Sequence, residues 1–267
     1  MIAAIIQARM GSSRLPGKIM LSACGKSLLY HLLERVKKSK KLEKIIIATT
    51  TEPEDDVIVN FCKSEKIDFF RGSKNDVLSR YYETAKKFSV DIIVRLTSDT
   101  PLIDPNVIDK VISAYENEHS DYVSNFFPLP RTYPEGYNVE VFPFKILEKT
   151  NFEATKPSDR EHVTTYISMQ PNLFKIFRVD NETDYSKYRF TLDYEDDYKL
   201  IKKIYEILYE KTPFFSLNDI VSLVEKNPEL LNLNSHIKPY ENLIKSFEND
   251  KTLGFENHKN NFYLDYK

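Results

Sequence analysis

Short apolar runs rich in β-branched residues alternate with segments of helical periodicity through the first 117 residues. The runs predict strands at residues 2–6, 45–49, 67–70 and 92–96. Apolar side chains at helical spacing predict helices at residues 28–36, 55–63, 75–87 and 105–117. Continuous apolar strands separated by helices are typical of a parallel sheet with right-handed crossovers. We therefore predict an α/β fold with a mostly parallel central sheet flanked by helices.

The second half of the chain is less regular. Strands are predicted at residues 121–127, 137–142, 173–179 and 188–192, and helices at 161–169, 198–208, 217–224 and 240–247. A loop with three prolines and one glycine, residues 128–136, separates the first two strands. No linker divides the chain into independent domains. We assign residues 1–225 to one domain with an irregular segment at about 120–180, and residues 226–267 to a helical extension with a polar tail of a dozen residues.

Composition and charge argue against several classes of function. The 38 basic and 40 acidic side chains nearly balance, so bulk charge gives no case for binding nucleic acid or an anionic membrane. No apolar stretch reaches the ~18 residues of a membrane span, and the first apolar run is too short for a signal peptide. Cys24 and Cys62 match neither a disulfide framework nor a metal motif. We expect a cytoplasmic protein.

A cationic loop, residues 9–18, follows the first predicted strand, at the end where open α/β sheets bind ligands. Glycine lets backbone N–H groups approach an anion, serines add donors and cations neutralise phosphate charge. The residues are Arg9, Gly11, Ser12, Ser13, Arg14 and Lys18. The loop is not a Walker loop, because Gly11 and Gly17 are one residue too far apart. In addition, Ile19 stands where that motif has the Ser or Thr whose hydroxyl binds Mg²⁺. A Rossmann G-x-G-x-x-G is missing too. The alternative is a surface turn with solvated charges.

Two aspartates follow later strands. Asp99 comes after the predicted strand at 92–96, where a carboxylate can hold Mg²⁺ that bridges to substrate phosphates. The residues alone fit equally well a turn that Asp99 caps before Pro101. Asp193 follows the strand predicted at 188–192, ahead of an acidic run at 195–197 that suits a helix N-terminus. Asp104 has the position of a helix cap.

Residues 5–18, Ile-Ile-Gln-Ala-Arg-Met-Gly-Ser-Ser-Arg-Leu-Pro-Gly-Lys, resemble the opening of the cytidylyltransferase family that includes CMP-KDO synthetase and acylneuraminate cytidylyltransferase. Within that family they are most similar to the spore coat polysaccharide biosynthesis SpsF branch. The resemblance runs to about residue 200. It implies a nucleotide-diphospho-sugar transferase fold (GT-A-like, Rossmann-like). It also implies that the loop, together with Ala8, binds the phosphates of CTP.

The same resemblance assigns roles to later residues. Asp99 lies in a segment similar to the family's strand-Asp-x-Pro-Leu-Ile signature, and Asp193 in one similar to its Asp-Thr-Pro-Glu-Asp segment, so both are implied ligands of Mg²⁺. This chain departs at Thr97, where relatives often carry Gln, and at Tyr194, where Thr is common. Further implied nucleotide contacts are Gly72, Ser73, Asp76 and Thr97. The implied catalytic residues are Arg14, Lys18 and Asp99. From the residues alone, 72–76 also fit an ordinary helix start.

Two segments of the second half, residues 134–141 and 158–164, are candidates for acceptor binding. The implied contacts are Asn138, Glu140, Arg160 and His162. An Arg-Glu-His-Val-Thr segment recurs in the SpsF branch on the acceptor side, which favours His162; a histidine on a helical face is, alternatively, a satisfied core residue. Arg131, Arg160 and Arg189 are candidates for an acceptor carboxylate or phosphate, because arginine matches planar anions bidentately.

The resemblance implies a Mg²⁺-dependent cytidylyltransferase that transfers CMP from CTP to a sugar acid or sugar phosphate, with pyrophosphate release, in surface polysaccharide or glycoconjugate biosynthesis. Relatives are often homodimers, so a homodimer is expected, with the irregular segment at the interface. Two alternatives stay open. One is a nucleotidyltransferase that uses another NTP on a sugar-1-phosphate, although such enzymes usually have a denser G-x-G-T-R-L opening. The other is a non-catalytic nucleotide-sugar-binding protein of the same fold.

Overall fold

A seven-stranded sheet forms the centre of the structure, a computed structural model that describes residues 1–256. The predicted polar tail lies outside the described residues, except Glu256. The strands are β1 (Ile2–Gln7), β2 (Ser22–Ala23), β3 (Lys26–Ser27), β4 (Lys44–Thr50), β5 (Asp68–Gly72), β6 (Ile92–Thr97), β7 (Tyr122–Ser124), β8 (Glu140–Pro143) and β9 (Ile176–Arg178). The helices are α1 (Leu28–Val36), α2 (Asp56–Ser64), α3 (Val77–Lys87), α4 (Pro105–Glu118), α5 (Phe144–Glu153), α6 (Pro157–His162), α7 (Thr165–Ser168), α8 (Glu195–Leu208), α9 (Leu217–Lys226) and α10 (Glu241–Thr252). In the part of the chain that the structure describes, none of these helices has the length and apolar character of a membrane span.

The central sheet has the strand order β5-β4-β1-β6-β8-β7-β9. β1 is parallel to β4 and β6, and β5 is parallel to β4, whereas β8 runs antiparallel to β6 and β7. β9 pairs in parallel with β7, and β2 and β3 form a separate hairpin. The mostly parallel sheet predicted from the sequence is confirmed. Because Gln7 of β1 is the register partner of Thr97 of β6, the segments after these two strands leave the sheet side by side.

Successive residues of β1 point to opposite faces of the sheet and enter two separate cores. Ala4 and Ile6 belong to the core that contains α1, α4, α8 and α9. Ala3 and Ile5 belong to the core that contains α3, α5 and α7. All four side chains are fully buried. β1 is therefore packed on both faces and between two strands, which fixes the point where the cationic loop begins.

Three elements of the second half differ from the sequence prediction. The helix predicted at 161–169 is split into α6 and α7 at Val163, a buried residue whose φ of +68° breaks a continuous helix. α5 is a helix that periodicity does not predict, because only a short face around Ile146 and Leu147 is apolar and buried. Residues 188–192 do not form a regular strand. Their backbone bonds to a loop instead, through a single bridge between Glu135 and Arg189.

The loop at 134–136 approaches residues 189–191 so closely that glycine is required at 136. Gly136 has a φ of +98°, and a Cβ there would lie 2.6 Å from the backbone carbonyl carbon of Phe190 and the backbone nitrogen of Thr191. The Phe190 N–H donates to the Glu135 carbonyl at 2.7 Å. This contact brings the Glu135 side chain beside Arg189 and so shapes the site at that edge of the sheet.

Candidate active site

A cleft of about 320 Å³ opens at the carboxyl ends of β1 and β6. Its walls come from the loop after β1, the turn after β6, parts of residues 126–140 and 161–165, the segment before α8, and residues 238–243. The predicted site residues that line it are Ala8, Arg9, Ser12, Ser13, Arg14, Lys18, Thr97, Asp99, Asn138, Glu140, His162 and Asp193. The cleft therefore brings both predicted metal ligands and the cations of the loop to one place.

The loop after β1 is folded by its own backbone. The N–H groups of Ser12 and Gly17 both donate to the carbonyl of Met10 at 2.9 Å, and Gly17 takes a left-handed φ of +68°. The Met10 N–H donates at 2.6 Å to Asp55, a fully buried carboxylate just before α2. The hydrogen bond from Met10 to Asp55 therefore anchors the loop to the rest of the protein. The Arg14 and Lys18 side chains line the cleft.

Lys18 contacts both predicted metal ligands. Its ammonium nitrogen lies 2.9 Å from Asp193 Oδ1 and 3.4 Å from Asp99 Oδ2, and it donates to the Leu192 carbonyl at 2.6 Å. Arg14 donates to the same Asp193 oxygen at 2.5 Å. Two cations from the loop and two carboxylates from segments almost a hundred residues apart therefore meet in one cluster.

Asp193 is charged in this cluster. Burial works to raise the pKa of its carboxyl, but Lys18, Arg14 and Arg189 outweigh burial and hold the pKa below its ordinary value. Arg189 donates to the second Asp193 oxygen at 3.2 Å and is itself held by Asp197, 2.9 Å from its Nε. Asp193 is thus surrounded by three cations on long side chains.

Another carboxylate, Glu140, lines the same cleft in a different setting. It accepts hydrogen bonds from the Arg95 guanidinium and, at 2.5 Å each, from the hydroxyls of Tyr122 and Thr164. Arg95 and Glu140 are register partners on β6 and β8. Burial works to lower the pKa of Arg95, but Glu140 together with Tyr81 and Tyr122 outweighs burial, so the pKa of Arg95 lies above its ordinary value and the guanidinium keeps its charge. With these partners in place, contact of Glu140 with an acceptor stays a prediction.

Five predicted site residues lie outside the lining of the cleft: Gly11, Gly72, Ser73, Asp76 and Arg160. Asp76 caps α3 by accepting from the Ser79 N–H at 2.9 Å, and it binds the Arg160 guanidinium with an Nη2–Oδ2 distance of 2.6 Å. These contacts join the start of α3 to α6. The roles of Gly72, Ser73, Asp76 and Arg160 toward a ligand stay predictions.

Other predicted residues have defined partners inside the cleft. The Thr97 hydroxyl donates to Asp99 Oδ1 at 2.5 Å, which orients that carboxylate. His162, the last residue of α6, pairs through Nε2 with the Ser246 hydroxyl at 2.9 Å. Among the three arginines predicted to meet an acceptor, Arg189 lines the cleft, whereas Arg131 and Arg160 do not.

Comparison with known proteins identifies the family of this chain. The family model described as Cytidylyltransferase matches residues 3–220. The chain belongs to the cytidylyltransferase family. It is therefore a nucleotidyltransferase, and the resemblance carried by residues 5–18 is confirmed.

Relatives of this cytidylyltransferase agree in sequence and in fold. Spore coat polysaccharide biosynthesis protein SpsF of Bacillus subtilis is 33% identical over 236 residues, 84% of this chain and 94% of the relative. The solved structure of a cytidylyltransferase from Leptospira borgpetersenii serovar Hardjo-bovis is 37% identical, with a TM-score of 0.82 over 90% of this chain and 99% of that chain. A CMP:2-keto-3-deoxy-manno-octonic acid synthetase solved in complex with CTP has a TM-score of 0.57 at 18% identity, over 77% of this chain and 98% of that chain. That last likeness shows the shared fold.

The Asp99–Asp193 pair of this cytidylyltransferase has the donor chemistry of a Mg²⁺ site. Mg²⁺ is commonly bound by one or two carboxylates and completes its shell with water and substrate phosphates. In residues 1–256 no group of three or more His, Cys, Asp or Glu side chains is placed to hold a metal ion. The Lys18 ammonium lies beside both Asp99 and Asp193, so a cation is already favoured at this position. Two carboxylates alone suit a metal ion whose remaining ligands come from substrate phosphates and water.

Sequence reasoning missed two parts of this cytidylyltransferase cleft. Arg95 is a charged residue inside the apolar run Ile-Ile-Val-Arg-Leu, which is a usable signal, since a charge in a buried strand requires a partner. Residues 238–243 carry no motif that indicates a site, and they lie beyond the part of the chain that the family model matches. Only the folded structure brings them to the cleft.

Proposed function

We propose that the protein catalyses Mg²⁺-dependent transfer of CMP from CTP to a sugar acid or sugar phosphate, with release of pyrophosphate, in the biosynthesis of a surface polysaccharide or glycoconjugate. The observation that carries the proposal is the contact of Lys18 with both Asp99 and Asp193, beside Arg14. A metal-bound triphosphate needs oxygen ligands for the metal and cations for its phosphates, and this cluster supplies two of each.

The reaction forms a bond between an acceptor oxygen and the α-phosphorus of CTP and breaks the bond from that phosphorus to pyrophosphate. Mg²⁺, when bound at Asp99 and Asp193, offsets negative charge on the phosphate oxygens. Arg14 and Lys18 bind those oxygens, because each charge-assisted bond they give up at Asp193 is replaced by one to a phosphate. Such catalysis depends on positioning and electrostatics, so it requires no dedicated base.

The acceptor class is supported by the relatives and by the charges of the cleft. One relative is a spore coat polysaccharide biosynthesis protein, and the name of another joins CMP to a sugar acid. Beyond the Asp193 cluster, the lining includes Asn138, His162 and the exposed cation Lys238, together with the carboxylates of Glu161 and Glu241. Polar groups with a free cation suit a hydroxylated acceptor that carries a carboxylate or a phosphate.

The test is a pyrophosphate-release assay with CTP, ATP, GTP and UTP against panels of sugar acids and sugar phosphates, with and without Mg²⁺. We expect release with CTP and a sugar acid or sugar phosphate, and only when Mg²⁺ is present. Release with another NTP and a sugar-1-phosphate would favour that alternative instead. No release with any NTP, together with no thermal shift on adding CTP and Mg²⁺, would contradict the proposal.

A further inference from the structure

The helix α10 forms part of the cleft wall. Five residues between 238 and 243, in α10 and just before it, line the cleft, although the family model matches only residues 3–220. One of them, Glu241, is the first residue of α10. The cleft that holds the loop cations is therefore completed by a segment outside the matched part of the chain.

α10 is anchored so that Glu241 has a defined position. Asp250, 2% exposed, accepts from the Ser158 N–H at 3.1 Å and from its hydroxyl at 2.5 Å, which ties α10 to α6. Phe247 is buried in the core beneath α3 and α5. Two buried contacts on one side of a helix fix its rotation, so its first turn faces the cleft in one orientation.

A continuous chain of contacts joins Glu241 to a cation of the loop. The Tyr194 hydroxyl donates to Glu241 Oε2 at 2.6 Å. The guanidinium carbon of Arg14 lies 5.0 Å from the centroid of the Tyr194 ring, within cation–π range. The hydrogen bond to Glu241 raises the pKa of Tyr194, and the same bond lowers the pKa of Glu241. A carboxylate in α10 thus holds the ring on which Arg14 rests.

We propose that Glu241 is a positioning residue of the nucleotide site, acting through Tyr194 on Arg14. The inference rests on the proposed function, which assigns Arg14 to the phosphates of CTP. When a phosphate replaces Asp193 as the hydrogen-bond acceptor of Arg14, the guanidinium can keep its contact with the Tyr194 ring. Because the hydrogen bond to Glu241 fixes the Tyr194 ring, Arg14 always meets the same face of that ring. The Tyr194 and Arg14 side chains then lose less rotamer freedom on nucleotide binding than they would beside a mobile ring.

The test measures the Kd of CTP and of inorganic tripolyphosphate, both with Mg²⁺, by isothermal titration calorimetry. The proteins are the wild type, Tyr194→Phe, Glu241→Gln and the double variant. We expect each single variant to bind both ligands about 3- to 10-fold more weakly. The double variant should bind no worse than the weaker single variant, because residues that act through one contact are not additive.

Tyr198→Phe is the matched control. Its hydroxyl, one turn further along α8, donates to the Ser22 carbonyl, and Tyr198 does not line the cleft, so both affinities should stay those of the wild type. Wild-type affinities in both single variants would overturn the inference, and so would losses that multiply in the double variant. For the wild type the Kd of ATP with Mg²⁺ is measured as well. A wild type that binds tripolyphosphate without preferring CTP to ATP would contradict the proposed function and leave the Tyr194–Glu241 coupling standing. A wild type that binds neither ligand would overturn both.

Discussion

Among the carboxylates that line the cleft, Asp193 and Glu140 each meet an arginine, but their surroundings differ in kind. The Asp193 side chain is 15% exposed and its three cations sit on long side chains, two of them in the loop after β1. The Glu140 side chain is 4% exposed, and Arg95 faces it across a pair of hydrogen-bonded strands. Two hydroxyls complete its hydrogen bonds.

The difference separates a carboxylate that can exchange partners from one that cannot. The Asp193 pairs are formed by flexible side chains that keep some exposure, so a phosphate or a metal ion that takes over the lost charge can replace them. Breaking a buried pair by removing one partner costs about 3–5 kcal/mol, because the remaining charge stays out of water. We therefore expect Asp193 to act in nucleotide chemistry and Glu140 to hold β6 and β8 in register beneath it.

Asp193→Asn should give the largest effect. Asparagine keeps the shape but loses the charge that a metal ligand needs, so we expect kcat/KM to fall about 10³-fold, roughly 4 kcal/mol of transition-state stabilisation. The free energy of unfolding should change by only about 1 kcal/mol, because Lys18 keeps the Leu192 carbonyl and Asp99, and Arg189 keeps Asp197. Pyrophosphate release and urea unfolding of the same preparation measure the two quantities.

The matched control for this prediction is Asp196→Asn. Asp196 lies in the first turn of α8, pairs with Lys199 at 2.7 Å and does not line the cleft. Its variant should keep wild-type activity. If Asp193→Asn keeps more than a tenth of the wild-type kcat/KM, Asp193 is not the carboxylate that acts in the nucleotide chemistry.

Glu140→Gln should reverse the pattern. The substitution leaves the Arg95 charge buried without its counter-ion, so we expect a loss of about 3 kcal/mol in the free energy of unfolding. Urea unfolding monitored by circular dichroism measures it. Glu153→Gln, at an exposed carboxylate that accepts from the Tyr166 hydroxyl, is the control and should cost about 0.5 kcal/mol or less. A loss no larger than that control would show that Glu140 is not the structural carboxylate.

The surroundings of Asp193 follow from local sequence features, whereas those of Glu140 depend on contacts between distant segments, and this difference explains which parts of the site the sequence predicts. β1, β6 and the loop between residues 9 and 18 are local features, and parallel strands must place their carboxyl ends together, so Lys18 and Asp99 are predictable neighbours. The Glu140–Arg95 pair depends on an antiparallel register that no local pattern specifies. α10 reaches the cleft through a contact between Ser158 and Asp250, which are 92 residues apart. Non-local contacts of this kind leave no periodic signal.

A pH titration of stability at His162 should give the smallest effect, and it probes the contact between α6 and α10 in the cleft wall. Burial lowers the pKa of His162; among its charged neighbours Arg95 lowers it too, while Glu161, Asp159 and Asp250 raise it, and the net pKa lies below the ordinary value of 6.5. The unfolded chain therefore takes up a proton before the folded protein does. The free energy of unfolding contributed by neutral His162 is fully present above about pH 6.5 and is lost as the pH falls below that value.

His162→Gln isolates this effect, because groups that do not interact with His162 titrate alike in both proteins and glutamine can still meet the Ser246 hydroxyl. We expect the wild type to lose more stability than the variant between about pH 7.5 and 5.5. Urea unfolding at each pH gives the difference, which should grow steadily toward acid. Parallel curves would mean that His162 is as free to take up a proton in the folded protein as in the unfolded chain. The contact between α6 and α10 at His162 would then be open to water.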